Sequence, residues 1–140
     1  MRVGEELMPF TIESVSADAM AVLADILRDP NPIHLDPAAA AAAGLGDRRV
    51  NQGPANFAYI INMLTRALPG ARLTSLDIAF TQNVRENDTV HARGRIKALE
   101  HSASDLRIVC EVWLDVEGGA PALKGEATLI APAGSFQSEG

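Results

Sequence analysis

The hydrophobic period of the chain changes once, between Leu68 and Leu73, and this restricts the fold more than any other feature. Before the change, apolar residues recur at helical spacing; after it, they mostly alternate with polar residues in twos. Ser16 reads as an N-cap ahead of a stripe formed by Met20, Leu23, Ala24 and Leu27. Pro30 and Pro32 stop that helix, because the residue before a proline is pushed out of the helical region. Asp36, Pro37 and Gly44 punctuate a second, short helix as cap, first-turn residue and left-handed terminator. A third helix opens at Gly53-Pro54 and runs to Leu68. Its residues Phe57, Ile60, Ile61, Met63, Leu64 and Ala67 are too widely spread for one narrow stripe, which predicts a largely buried helix.

Met8 to Ile12 suits a short first strand, and four longer strand patterns follow the third helix. Leu73 to Thr81 places Leu76, Ile78 and Phe80 on one face. Thr89 to Leu99 alternates Val90, Ala92, Gly94, Ile96 and Ala98 against polar residues. Leu106 to Val116 and Leu123 to Ile130 alternate likewise. Asn87-Asp88 and Glu117-Gly118-Gly119 are turn signals between them. Helices ahead of an antiparallel meander make the class α+β, with one apolar sheet face wrapping the buried helix. Residues 1–140 suit one domain, with 132–140 expected as a frayed tail.

Composition then excludes several functions. A net charge of −6 argues against nucleic-acid binding and against electrostatic attachment to an anionic membrane. No apolar run approaches the length of about 20 residues that spans a bilayer. Acidic residues stand where a signal peptide has its apolar core, so a cytoplasmic protein is expected. The single cysteine, Cys110, lies on the apolar phase of a strand and reads as a structural thiol. Trp113 falls on the opposite phase, suited to a subunit interface or to packing under the N-terminal helices. His91 and His101 read as solvated, and Arg48, Arg49 and Arg85 as surface cations able to attract a phosphate-rich carrier.

The segment Arg28-Asp-Pro-Asn-Pro-Ile-His-Leu-Asp-Pro37 is the richest in chemistry. Its prolines predict a stiff loop, not a helix, able to hold the Asp29 carboxylate and the His34 imidazole at a fixed separation for general acid–base work. The plain alternative is a loop in which Asp29 caps a turn, Asn31 satisfies the backbone and His34 is an ordinary polar residue. No second histidine or carboxylate cluster accompanies Asp29, Asn31 and His34, so no metal is expected there. In Val50-Asn-Gln-Gly-Pro-Ala-Asn-Phe57, the N–H of Gly53 opens a helix and can meet a developing oxyanion. Gly53 as a permissive cap residue stays open beside that.

Together, the Asp-x-Asn-Pro-x-His-x-Asp loop, the alanine-containing short helix and the glycine opening a buried helix resemble the MaoC-like (R)-specific enoyl-CoA hydratases and dehydratases. The likeness in motifs and order covers about Leu23 to Gly94. It implies the hot-dog fold, an antiparallel sheet around one long helix, usually dimeric; the edges and open pocket of one short curled sheet predict a homodimer joined edge to edge. It also implies Asp29 and His34 as the catalytic pair, Gly53 as the oxyanion amide and Asn31 as a loop brace. The family commonly has His-Gly-Met where this chain has Gln52-Gly53-Pro54, so Gln52 cannot titrate. Gln52 and Asn56 are expected to line the pocket. Asn56, Tyr59 and Asn62 add polar groups to the helix, which suits an acyl group shorter or more functionalised than a plain fatty chain.

The expected reaction is reversible hydration of a trans-2-enoyl thioester, of coenzyme A or a carrier protein, to the (R)-3-hydroxyacyl thioester. It needs no cofactor, because the thioester supplies the activation. The rival is a non-catalytic acyl-thioester-binding or structural hot-dog subunit. A hot-dog thioesterase is disfavoured, since Gly53 to Leu68 contains no Asp or Glu for the carboxylate expected on the long helix.

Overall fold

The computed structural model describes residues 1–137. Three helices, α1 (Ala17–Leu27), α2 (Pro37–Ala42) and α3 (Gly53–Ala67), precede most of a five-stranded sheet. Its strands are β1 (Phe10–Ile12), β2 (Arg72–Phe80), β3 (Val90–His101), β4 (Asp105–Val116) and β5 (Leu123–Pro132), in the order β1-β3-β4-β5-β2, every pair antiparallel. The expected meander therefore holds only for β3-β4-β5. Asn87-Asp88 does not close a β2–β3 hairpin, because β2 crosses to pair with β5 at the far edge. The first strand is shorter than expected. The segment before it also follows β3, through a Glu6–Arg95 bridge and bonds from the Gly4 and Leu7 amides to Ile96 and Gly94. Pro9, which has no N–H to donate, interrupts the two stretches.

One face of the sheet wraps α3, as the alternation predicts. Leu106, Ile108, Cys110, Val112 and Leu114 of β4 and Leu123, Ala127 and Leu129 of β5 are buried against Ile60, Met63 and Leu64 of α3. Gly94 permits the approach of helix to sheet, since a Cβ there would lie 3.0 Å from a Leu7 methyl and 3.1 Å from that of Met63. A register shift between Ile96 and Ala98 reverses the phase of β3, so that Leu99 packs against the core as well. The helix is less enclosed than its sequence predicts. Pro54, Ala58, Asn62, Thr65 and Arg66 are exposed. On α1, Ser16 caps as expected, whereas Leu27 is exposed at the helix end.

Trp113 lies half-buried on the outer sheet face, away from the helices, donating its Nε1–H to Asp115 and carrying Arg95 over its ring. His91 is half-buried and bonded to Thr11, not freely solvated. Burial pushes the Cys110 thiol up to about 12, which keeps it protonated and inert. The expected fraying does not start at residue 132. Ala133 donates to Ser104, Phe136 packs against the core, and the N-terminal amine donates to its carbonyl. Residues 138–140 of that expected tail lie outside the described residues. No helix among the described residues is long and apolar enough to cross a membrane.

The arginines expected as free surface cations are structural ties. Arg48 pairs with Asp88 at 2.8 Å, Arg49 with Glu86 at 2.9 Å, and Arg85 donates to the Leu45 carbonyl. Glu86 also accepts the Arg49 N–H and returns its own N–H to the Arg49 carbonyl. These bonds dock the α2–α3 connection onto the β2–β3 connection. The Arg49 N–H and guanidinium hold the Glu86 carboxyl below its ordinary range. Its contribution is therefore complete at neutral pH and lost as pH falls through the depressed folded value. Glu86→Gln is expected to cost about 1–2 kcal/mol at pH 7, as for a charge-assisted hydrogen bond at a shielded site. In melts followed by circular dichroism, the gap to wild type should narrow below about pH 4.3, the ordinary glutamate value.

Candidate active site

The loop after α1 is shaped by its short polar side chains. Arg28 takes a left-handed conformation (φ 51, ψ 43), and its N–H and that of Asp29 turn back onto the last helical carbonyls. Asp29 Oδ1 then accepts the Asn31 N–H at 3.1 Å, and Asn31 Oδ1 accepts the Ile33 N–H at 3.3 Å. Two such turns in succession leave little freedom between Asp29 and His34. The expectation of a wholly non-helical loop needs one correction, a single 3-10 turn over Pro32–His34 capped by Asn31. Proline at its first position favours that turn.

This places the two sequence-predicted residues together. His34 Nε2 lies 3.3 Å from Asp29 Oδ2, with the ring almost buried and the carboxylate one-third exposed. The other ring nitrogen, Nδ1, lies 2.6 Å from the Val50 carbonyl. A carbonyl only accepts, so Nδ1 carries a hydrogen, and Nε2 is the ring nitrogen that faces the Asp29 carboxylate. Val50 is itself fixed, donating its N–H to the Ile33 carbonyl at 2.9 Å. A cavity of about 420 Å³ opens beside Asp29, between α1 and Leu35.

Gly53 stands three residues beyond Val50 as the first residue of α3. Among the described residues, nothing accepts its N–H. Its φ is not positive, so the position does not require glycine for backbone reasons. A Cβ there would rest 3.4 Å from the ring of Phe80, which is 55% exposed. The strand pattern of β2 assigned Phe80 to the apolar sheet face; the structure leaves it exposed, with its ring against Gly53.

The remaining polar groups around the start of α3 are buried. Gln52 is 1% exposed and donates its Nε2–H to the Met20 carbonyl at 2.8 Å, tying α3 to α1, while its Oε1 has no partner. Asn56 is 3% exposed, and its Oδ1 accepts from Asn51 Nδ2 at 2.8 Å. The same Nδ2 donates to the Tyr59 hydroxyl at 3.2 Å. Burial raises the Tyr59 pKa above its ordinary value, with the Asn51 bond acting partly against this, so the hydroxyl remains a proton donor at neutral pH. Sequence reasoning singled out neither Asn51 nor Phe80. A run of two amide side chains ahead of a buried helix was the available signal for Asn51.

Residues 4–110 match the MaoC like domain family. The chain is 30% identical over 118 residues to an (R)-specific enoyl-CoA hydratase from Aeromonas caviae, covering 83% of this chain and 86% of that protein. The crystallised (R)-hydratase of A. caviae, described as involved in PHA biosynthesis, superposes with a TM-score of 0.83 at 27% identity over 94% of this chain and 98% of its own. The R-hydratase PhaJ1 from Pseudomonas aeruginosa shares the fold at a TM-score of 0.81 and 24% identity, over 95% of this chain and 83% of its own. With its sheet wrapped on α3 and its match running from residue 4 to residue 110, in the middle of β4, the chain belongs to the MaoC-like family of hot-dog proteins.

Proposed function

We propose that the protein hydrates a trans-2-enoyl thioester, of coenzyme A or a carrier protein, to the (R)-3-hydroxyacyl thioester, reversibly. The observation that carries this is the bond from His34 Nδ1–H to the Val50 carbonyl, which turns Nε2 to the Asp29 carboxylate as the nitrogen free to exchange a proton. The likeness to the A. caviae hydratase supports both the reaction class and the (R) hand. A water lodged against Asp29 Oδ2 and His34 Nε2 meets two acceptors, as a nucleophilic water requires. Asp29 takes its proton, His34 orients and relays, and the hydroxyl oxygen bonds to the β-carbon. The pair returns one proton to the α-carbon, so that one water adds across the double bond. The Gly53 N–H polarises the thioester carbonyl, where negative charge gathers in the transition state. No metal or redox cofactor enters this scheme, because the thioester itself makes the β-carbon electrophilic.

A homodimer is part of this reading. Among the described residues, nothing pairs with the outer edge of β2, and Phe80 at its end is exposed beside Gly53. Edge-to-edge pairing across β2 covers both features. Light scattering at micromolar concentration should give twice the chain mass; a monomer overturns this part.

Hydration is read as loss of enoyl absorbance with trans-2-enoyl-CoA substrates. Asp29→Asn should lower turnover by about 10²–10⁴-fold, the range for a positioned acid or base, with little change in melting. His34→Ala should lower it comparably but also cost about 1–3 kcal/mol of stability, since the lost ring leaves the buried Val50 carbonyl without its partner. Its turnover is therefore measured well below its melting transition. Near-wild-type turnover in either variant removes that residue from the scheme.

Two substitutions at Gly53 isolate the amide. Gly53→Ala keeps the N–H and adds only an ordinary contact with Phe80. Gly53→Pro removes the N–H, and Gln52 already has the extended backbone (φ −67, ψ 143) that a following proline demands. Alanine should retain most turnover, whereas proline should lose about 10²–10³-fold in kcat, the effect of deleting one oxyanion donor. Equal kcat in folded alanine and proline variants excludes an oxyanion role for this amide.

A further inference from the structure

The inward face of α3 begins with polar groups where an all-apolar acyl slot would have none. The buried residues of the helix are Asn56, Ile60, Met63 and Leu64. Asn56 occupies the inward position one turn before Ile60, and Tyr59 packs against the core beside it. Asn51 spends both hydrogens of its Nδ2 on these two residues, at 2.8 and 3.2 Å. What stays unspent is informative. Among the described residues, nothing accepts from Asn56 Nδ2 or from the Tyr59 hydroxyl, and nothing donates to Asn51 Oδ1. Among the described residues, the one fully enclosed side-chain polar atom without a partner is Gln52 Oε1, so the spare groups of Asn51 and Asn56 keep a little accessible surface. Asn62, by contrast, is exposed and takes no part.

A network held in place at its centre, with hydrogen-bonding groups left over at its accessible rim, is preorganised to bind a polar group. We propose that Asn51, Asn56 and Tyr59 recognise a neutral oxygen, hydroxyl or carbonyl, on the acyl chain of the substrate. This inference rests on the hydratase reading and names its substrate class. The distances agree with a short chain. At 1.5 Å per residue, Asn56 and Tyr59 lie about 4.5 and 9 Å along the helix axis from Gly53. An acyl group whose carbonyl sits on the Gly53 amide reaches that far within a few carbons of its double bond. Charge selects the neutral oxygen. No Lys or Arg hydrogen-bonds to any of the three side chains, so a carboxylate there would be desolvated without a counter-ion.

The test compares kcat/KM for trans-2-hexenoyl-CoA, 5-hydroxy-trans-2-hexenoyl-CoA and the carboxylate-bearing glutaconyl-CoA, in the full chain and in Tyr59→Phe and Asn56→Leu. Wild type should prefer the hydroxylated substrate over hexenoyl-CoA by at least about tenfold and should disfavour the carboxylate. Each variant should bring the hydroxyl-to-hexenoyl ratio toward one. Asn56→Leu removes a buried acceptor and can unfold, in which case Tyr59→Phe, which deletes only a hydroxyl, decides. A parallel loss on both substrates identifies a purely structural network and overturns the inference. So does a wild-type preference for hexenoyl-CoA, which leaves the hydratase reading standing. Hydration of none of the three overturns both.

Discussion

The candidate site depends on the peptide of Val50. Its carbonyl takes the His34 Nδ1–H, its N–H holds the Ile33 carbonyl, and the next N–H, of Asn51, donates to Val84 at 2.7 Å. One short stretch of chain therefore joins the Asp29–His34 loop to the β2–β3 connection. The tautomer of His34 follows from a main-chain oxygen, not from a side chain. Substituting Val50 cannot delete that acceptor; only displacing the backbone can. The Arg48–Asp88 and Arg49–Glu86 pairs guard against such displacement, two residues and one residue before Val50.

Beneath this polar layer lies an apolar anchor that offsets its cost. Ile60, Met63 and Leu64 have no exposed surface, and a fully buried side chain of this size contributes about 1.5–3 kcal/mol. Gly94 makes the anchor possible by letting Met63 and Leu7 meet over its Cα. Against that stand Asn51, Gln52 and Asn56, all buried, and the orphaned Gln52 Oε1, worth about 1–3 kcal/mol of destabilisation for one unsatisfied group. An apolar residue at position 52 would avoid this penalty but lose the bond to Met20 that ties α1 to α3. The start of α3 is thus stabilised from below and spends part of that stability on placing polar atoms.

What could be read in the sequence was mostly local. Ser16 and Asp36 cap their helices because N-capping involves residues two or three apart, and the inward phase of β4 follows from simple alternation. The place of β2 was hidden, since pairing with β5 depends on competition among distant edges, and Asn87-Asp88 looks the same at a crossover as at a hairpin. The phase reversal at Lys97 leaves no pattern in residue types. Arg48 and Arg49 were visible as charges, whereas Asp88 and Glu86, about 40 residues away, become partners only through the fold. The same division applies at the site. The loop motif carried Asp29 and His34, but Val50 acts through its carbonyl, which every residue possesses, and Asn51 acts through partners on the next helix.

The arrangement leaves one electrostatic requirement open in a single chain. An amide stabilises a developing oxyanion most where water is excluded, because the interaction strengthens as the local dielectric falls. Gly53 is only half-buried, and Phe80 covers it from one side with more than half of its own surface still exposed. In the proposed hydratase dimer, the rest of the enclosure comes from the bound thioester or from the second copy meeting the β2 edge. A chain that completes its oxyanion site across an interface makes turnover depend on association. Phe80, at the end of that edge and against Gly53, is where the proposed interface and the proposed oxyanion amide meet.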